Sequence, residues 1–103
     1  MSGEPKPLSL SDLNRRIRLT LQEHLGQDIW VVGEISEIKV QHNGHCYLEL
    51  VEKKEQQMLA KIRATIWASN FSVLAPDFER STGQRLGAGM KVLVMVRVNF
   101  HEV

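Results

Sequence analysis

Tyr47, Lys61, Arg63 and Trp67 are the side chains in this sequence whose types and positions could act together. They occupy odd positions in two stretches, HCYLELVEK and MLAKIRATIW, where apolar and polar residues alternate. Side chains of a β-strand change face at every residue, so two paired strands would put Cys46, Leu48, Leu50, Ile62, Ala64 and Ile66 on one side. The other side would then display the tyrosine, the tryptophan and the two cations. Rings stack on bases and cations meet phosphates, so such a face suits an unpaired nucleic-acid strand. Trp67 has a second reading, in which it ends its strand by packing beneath a following helix with Phe71. Lys61 and Lys39 are candidate phosphate contacts, although an ordinary solvated lysine is the safer reading for each alone. His42 and His45 flank a turn at one end of this face, where they could guide a strand along it.

Other chemistry finds less support. His42, His45, Cys46 and His101 could suggest zinc, which requires convergent ligands, but His45 and Cys46 fall on opposite faces of one strand. No metal site and no cofactor are expected. Glu34, Glu37 and Glu49 lie on strands without an evident partner acid, and no serine or cysteine has a nucleophile's surroundings, so no catalytic residue is assigned. A single cysteine allows no internal disulfide, which agrees with a reducing compartment.

These residues need strands to hold them, and the chain supplies a pattern for each. Three consecutive strands are expected from Ile29 to Trp67: IWVVGEISEIKV, HCYLELVEK after an Asn43-Gly44 turn, and MLAKIRATIW after the polar connection Glu52 to Gln57. In the first, the apolar phase slips between Ile35 and Ile38, which places a bulge or bend at Gly33 or its neighbours. Ahead of them, Leu10, Leu13, Ile17, Leu21 and Leu25 form one stripe of a helix whose other face carries Arg15, Arg16, Arg18 and Gln22. Ser9 and Asp12 resemble a capping box, Leu8 could staple onto Leu13, and Gly26 is a stop. Trp30 and Val32 are large and apolar on the outer side of the first strand, and the helix stripe is the natural cover for them. After Trp67, Phe71 and Leu74 allow one or two helical turns ended by Pro76, and Asp77 to Gly89 reads as a loop. A last strand alternates from Met90 to Phe100, and the chain stops at Val103 with no turn signal, as a piece of a longer chain would.

Composition bounds the function classes. At 103 residues, 43% hydrophobic and 24% charged, the sequence has the make-up of one small folded domain rather than a disordered segment. Residues 1–7 read as a mobile lead-in and residues 8–103 as the domain. The absence of a signal-like or membrane-length apolar run leads to the expectation of a cytoplasmic protein with no membrane partner. Thirteen Lys and Arg against 12 Asp and Glu give a formal charge of +1, so affinity for nucleic acid must come from a local patch and be weak.

The order helix, three-stranded meander, short helix, strand is that of an OB-fold-like small barrel of mainly β class. At the residue level, LSLSDLNRRIRLTL, IWVVGEIS, NGHCYLEL, KIRATIWASN and GMKVLVMVRVNFHE together resemble the N-terminal domain of the large subunit of bacterial exodeoxyribonuclease VII. The likeness covers Leu8 to Glu102. Two positions depart from its pattern: Leu48 stands where phenylalanine is usual, and Arg97 where glycine is usual. The resemblance implies single-stranded DNA as substrate, catalytic residues in a later part of a longer hydrolase, a small-subunit partner, and a fifth strand beyond Val103. Without that strand, strands three and four would be open edges through which a second copy could pair. RNA binding and a protein-assembly role remain the alternatives on the same fold.

Overall fold

A computed structural model of the chain describes residues 6–100. The described residues fall into two compact units, one made of residues 6–31 with 94–100 and the other of Val32–Leu93. The elements run α1 (Leu10–Leu25), β1 (Ile29–Val40), β2 (Cys46–Lys54), β3 (Gln57–Ile66), α2 (Ala68–Thr82) and β4 (Lys91–Val96). The strands form one open four-stranded antiparallel sheet in the order β3-β2-β1-β4, so β3 and β4 lie at its edges. Most of the lead-in expected over residues 1–7, and the sequence from His101 to Val103, lie outside the described residues.

In the first unit, α1 starts where the cap predicts. The Ser9 hydroxyl oxygen accepts from the Asp12 amide at 3.1 Å, satisfying a donor that the first helical turn cannot. Gly26 follows the last turn with right-handed dihedrals, and a Cβ there would run into the Gln22 carbonyl oxygen, so its smallness rather than a left-handed twist permits the stop. The expected cover of Trp30 by the helix stripe is not found: no α1 residue is buried, and Trp30 stays 61% exposed. Periodicity tells which face of an element is apolar, not which two faces meet. Arg97 reaches back to Asp28, with its Nη2 donating at 3.0 Å.

The second unit holds the core, consisting of Ile35, Cys46, Leu48, Leu50 and Val51. The alternation read from sequence holds for β2, where Cys46, Leu48 and Leu50 are all buried. On β3 it holds only in direction: Ala64 and Ile66 are half-buried, and Ile62 is 62% exposed because β3 is an edge strand. The bulge expected in β1 falls at Ser36, where the pairing with β2 shifts between Ile35 and Glu37. The extra residue lets Ile35 and Ile38 face the same interior despite their odd spacing.

The two hairpins use different turns from those the sequence favours. Asn43-Gly44 belongs to a longer loop in which the Gln41 amide donates to the His45 carbonyl at 2.9 Å. Only Gly44 takes a positive φ, of 90°, while the Asn43 side chain accepts from the His45 amide. The tight two-residue turn is instead Glu55-Gln56, between paired Lys54 and Gln57, with φ of 52° and 67°. Two left-handed residues give the type I′ twist that a short hairpin needs, here without the asparagine or glycine that adopts it readily.

Helix α2 corrects the expectation of a short helix stopped by Pro76. It runs 15 residues with Pro76 inside it. Inside the helix the proline removes one donor from the ladder and its ring crowds the carbonyl four residues before it. The turns beyond it are held by the Arg80–Asp77 pair, by the Thr82 hydroxyl donating to the Phe78 carbonyl at 2.7 Å, and by Gly83 at φ 72°, whose amide donates to the Glu79 carbonyl. Phe71, Ala75 and Phe78, all half-buried, extend one helical face straight through the proline. Strand β4 is shorter than its alternation suggests and ends at Val96. Beyond it the alternation of exposure continues to Phe100 without strand pairing.

Candidate nucleic-acid interface

Strand β2 organises the candidate site because its register with both neighbours decides which side chains share a face. Against β3, Tyr47 lies opposite Thr65, Glu49 opposite Arg63 and Val51 opposite Lys61. Against β1, Lys39 lies opposite Tyr47, and Glu37 opposite Glu49. Directly opposed residues point the same way, so Tyr47, Arg63 and Lys61 occupy one face of the sheet, as their spacing predicts, and the register adds Lys39 to it. Val51 closes that face at one end, being 2% exposed. The open part runs from Glu49 to His45.

One residue past the last β2–β3 pair, His45 and Trp67 meet with ring centroids 5.1 Å apart and planes at 86°. His45 also stands edge-on to Tyr47, at 6.5 Å and 85°. The histidine therefore sits between the two larger rings and holds both by T-shaped contact. Tyr47 and Trp67 remain 39% and 46% exposed, so surface is left on each for a further partner. Trp67 thus joins the proposed face, and it does so as the residue that leads directly into α2.

His45 has a second task that its sequence position does not reveal. Trp67 precedes the first turn of α2 and has no side-chain oxygen to cap it. The first helical amide, that of Ala68, donates instead to His45 Nδ1 at 2.9 Å. An accepting Nδ1 on a neutral imidazole puts the ring proton on Nε2. Gly44 makes this reach possible: a Cβ on it would come within 3.0 Å of the Ala68 Cβ. His42, two residues away, is exposed in the loop and takes no part in the ring cluster.

The cations divide into two kinds. The side chains of Arg63 and Lys39 are exposed and make no ion pair or hydrogen bond among the described residues. Lys61 is drawn to Glu49, with Nζ 3.8 Å from Oε2. Glu49 is the residue that the sequence reading passed over. Its side chain is 15% exposed, and its Oε1 accepts from the Ser36 hydroxyl at 2.8 Å. The register also corrects the expectation that these glutamates lack a partner acid, because Glu37 lies directly across from Glu49. Glu34, by contrast, pairs with Lys53 at 3.7 Å.

Of the residues considered for zinc, His45 has its Nδ1 engaged by Ala68, and Cys46 is wholly buried on the opposite face. Burial raises the Cys46 thiol pKa by penalising its charged form. His101 lies outside the described residues. Among the described residues no three His, Cys, Asp or Glu side chains gather as a metal site would require. No described helix is long and apolar enough to cross a membrane.

Residues 8–103 match the family described as OB-fold nucleic acid binding domain. The chain is 33% identical over 103 residues to the exodeoxyribonuclease 7 large subunit of Halalkalibacterium halodurans, covering 99% of this chain and 20% of that protein. It is 30% identical over 102 residues to the corresponding subunit of Aliivibrio fischeri, again over 99% of this chain and 20% of the relative. The Brevibacillus brevis subunit is 45% identical over 64 residues, which is 60% of this chain and 13% of that one. The chain therefore spans about one-fifth of the length of the first two relatives.

Proposed function

The chain belongs to the family of OB-fold nucleic acid binding domains, and from that premise we propose that it binds single-stranded DNA across the β2–β3 face. In this reading it is the substrate-holding part of an exodeoxyribonuclease VII large subunit, and hydrolysis to oligonucleotides is carried out by residues outside this chain. The observation that carries the reading is the His45, Tyr47 and Trp67 ring cluster beside two unpaired cations, Arg63 and Lys39. Rings with free surface take bases, and cations on the flanking strands take the phosphates on either side.

The magnitudes favour stacking over charge. Each stacked base contributes roughly 1–3 kcal/mol, so Tyr47 and Trp67 could supply the larger part of the affinity. Two phosphate contacts, by Arg63 and Lys39, would give a salt slope of only about −1.4 for a single strand. Lys61 adds little while Glu49 holds it. The proposed setting is the cytoplasm, with the small subunit of exodeoxyribonuclease VII as a partner of the longer protein and pairing of two copies through sheet edges as a further possibility.

The test is intrinsic fluorescence in a Trp30→Phe background, which leaves Trp67 as sole reporter, titrated with a thymidine oligomer at low salt. Quenching that weakens with added salt supports the reading, and Arg63→Ala should reduce the salt slope. Unchanged emission together with concentration-dependent self-association would instead favour a protein-contact module. That second reading has one observation behind it, the 61% exposure of Trp30. A parallel titration with ribo-oligomers separates DNA from RNA.

A further inference from the structure

Glu49 is out of place on a surface that receives phosphates. A carboxylate there repels the backbone of any nucleic acid, yet its neighbours hold it in a fixed position rather than letting it swing away. The Ser36 hydroxyl donates to Oε1 at 2.8 Å, with the Glu49 carbonyl oxygen a second acceptor at 3.2 Å. Ser36 is able to do this because the β1 bulge falls on it. Lys61 Nζ stands 3.8 Å from Oε2, close enough to offset the charge but too far for a hydrogen bond. A carboxylate offers about four acceptor sites and Ser36 fills one of them, so the 15% of the side chain that stays exposed is where a further donor can approach.

We propose that Glu49 selects among bases: its carboxylate accepts hydrogen bonds from the Watson–Crick edge of a base stacked beside Tyr47, favouring guanine and disfavouring thymine. This rests on the single-stranded-DNA reading above and deepens it. Glu49 lies two residues from Tyr47 on the same strand and face, roughly 7 Å along β2, which is within reach of the edge of a base lying on that ring. Guanine presents N1–H and N2–H side by side, a bidentate match for two carboxylate oxygens. Cytosine and adenine offer one amino group each. Thymine offers a single N3–H flanked by two carbonyl oxygens that would face the carboxylate. The phosphates are displaced to the sides, where Lys39 sits opposite Tyr47 on β1 and Arg63 opposite Glu49 on β3.

The experiment compares fluorescein-labelled oligomers of about 12 nucleotides, a length within the span that one such fold covers, by anisotropy. One is all thymidine, one carries several separated dG, and one carries deoxyinosine at the same places, which lacks the N2 amino group. The dG oligomer should bind about fivefold tighter than the thymidine oligomer, the low end for a bidentate base contact, with deoxyinosine between them. In Glu49→Gln the preference should vanish while thymidine binding strengthens, because a repelling charge is gone. In Ser36→Ala, which keeps the charge and loses its orientation, the preference should shrink with thymidine affinity unchanged. Equal binding of the dG and thymidine oligomers by the native protein overturns the proposal, and so does a preference that survives Glu49→Gln. Failure to bind any of the three oligomers overturns the single-stranded-DNA reading itself.

Discussion

Replacing His45 by alanine is expected to remove about 2 kcal/mol of stability, and the sum can be assembled from two contacts. The first is the acceptor for the Ala68 amide at 2.9 Å, and loss of a helix N-terminal cap costs about 1 kcal/mol. The second is the pair of edge-on ring contacts to Trp67 and Tyr47, each contributing about 0.5 kcal/mol at partly exposed positions. His45→Phe separates the two, because it keeps a ring between its neighbours but has no acceptor, so it should lose about half as much. Urea denaturation followed by circular dichroism measures both variants. For a domain of this size the alanine variant should also melt about 8–16 °C lower. The reasoning fails if His45→Phe matches the native protein, since the Ala68 amide would then have no need of the imidazole. It fails equally if both variants lose the same amount, since the ring contacts would then contribute nothing.

Three further outcomes follow from particular residues. Changing Glu55-Gln56 to Asn-Gly relieves two side chains held at positive φ and should stabilise the protein by roughly 1–2 kcal/mol in the same denaturation assay. Gly44→Ala should destabilise by at least ~1 kcal/mol, because φ of 90° is left-handed and the added methyl approaches the Ala68 Cβ; equal midpoints would refute the close approach. Cys46 has its thiol pKa raised by burial, so its contribution is fully present below the ordinary thiol value of about 8.5 and is lost as pH rises through the higher folded value. Thermal midpoints should therefore fall more steeply above that pH in the native protein than in Cys46→Ala.

The sequence revealed faces better than neighbours. Alternation from Cys46 to Leu50 and from Lys61 to Trp67 brought Tyr47, Lys61, Arg63 and Trp67 to one side, because strand phase is a local property, whereas the place of Lys39 beside them came only from the register. The Ser9 cap was readable for the same reason. Ser36 was foreseen only as a region, since a phase slip marks a bulge without saying which residue is extra. Glu55-Gln56 was hidden because strand pairing imposed a conformation that neither residue prefers. Pro76 suggested a helix end because a proline's local cost is visible in sequence, whereas the half-buried face of Phe71, Ala75 and Phe78 that carries α2 past it depends on tertiary context. Glu49 was read only as an acid without a partner, because its importance comes from what stands across from it. The exposure of Trp30 could not be read at all, since nothing in a sequence states which apolar stripes touch.

The imidazole that starts α2 also acts as a check on strand alignment. A slip of one residue between β2 and β3 would turn His45 to the reverse side of the sheet and leave the Ala68 amide bare. The helix can begin well only when the hairpin before it is correctly threaded, so misaligned hairpins are penalised twice, once in their own pairing and again in the element that follows.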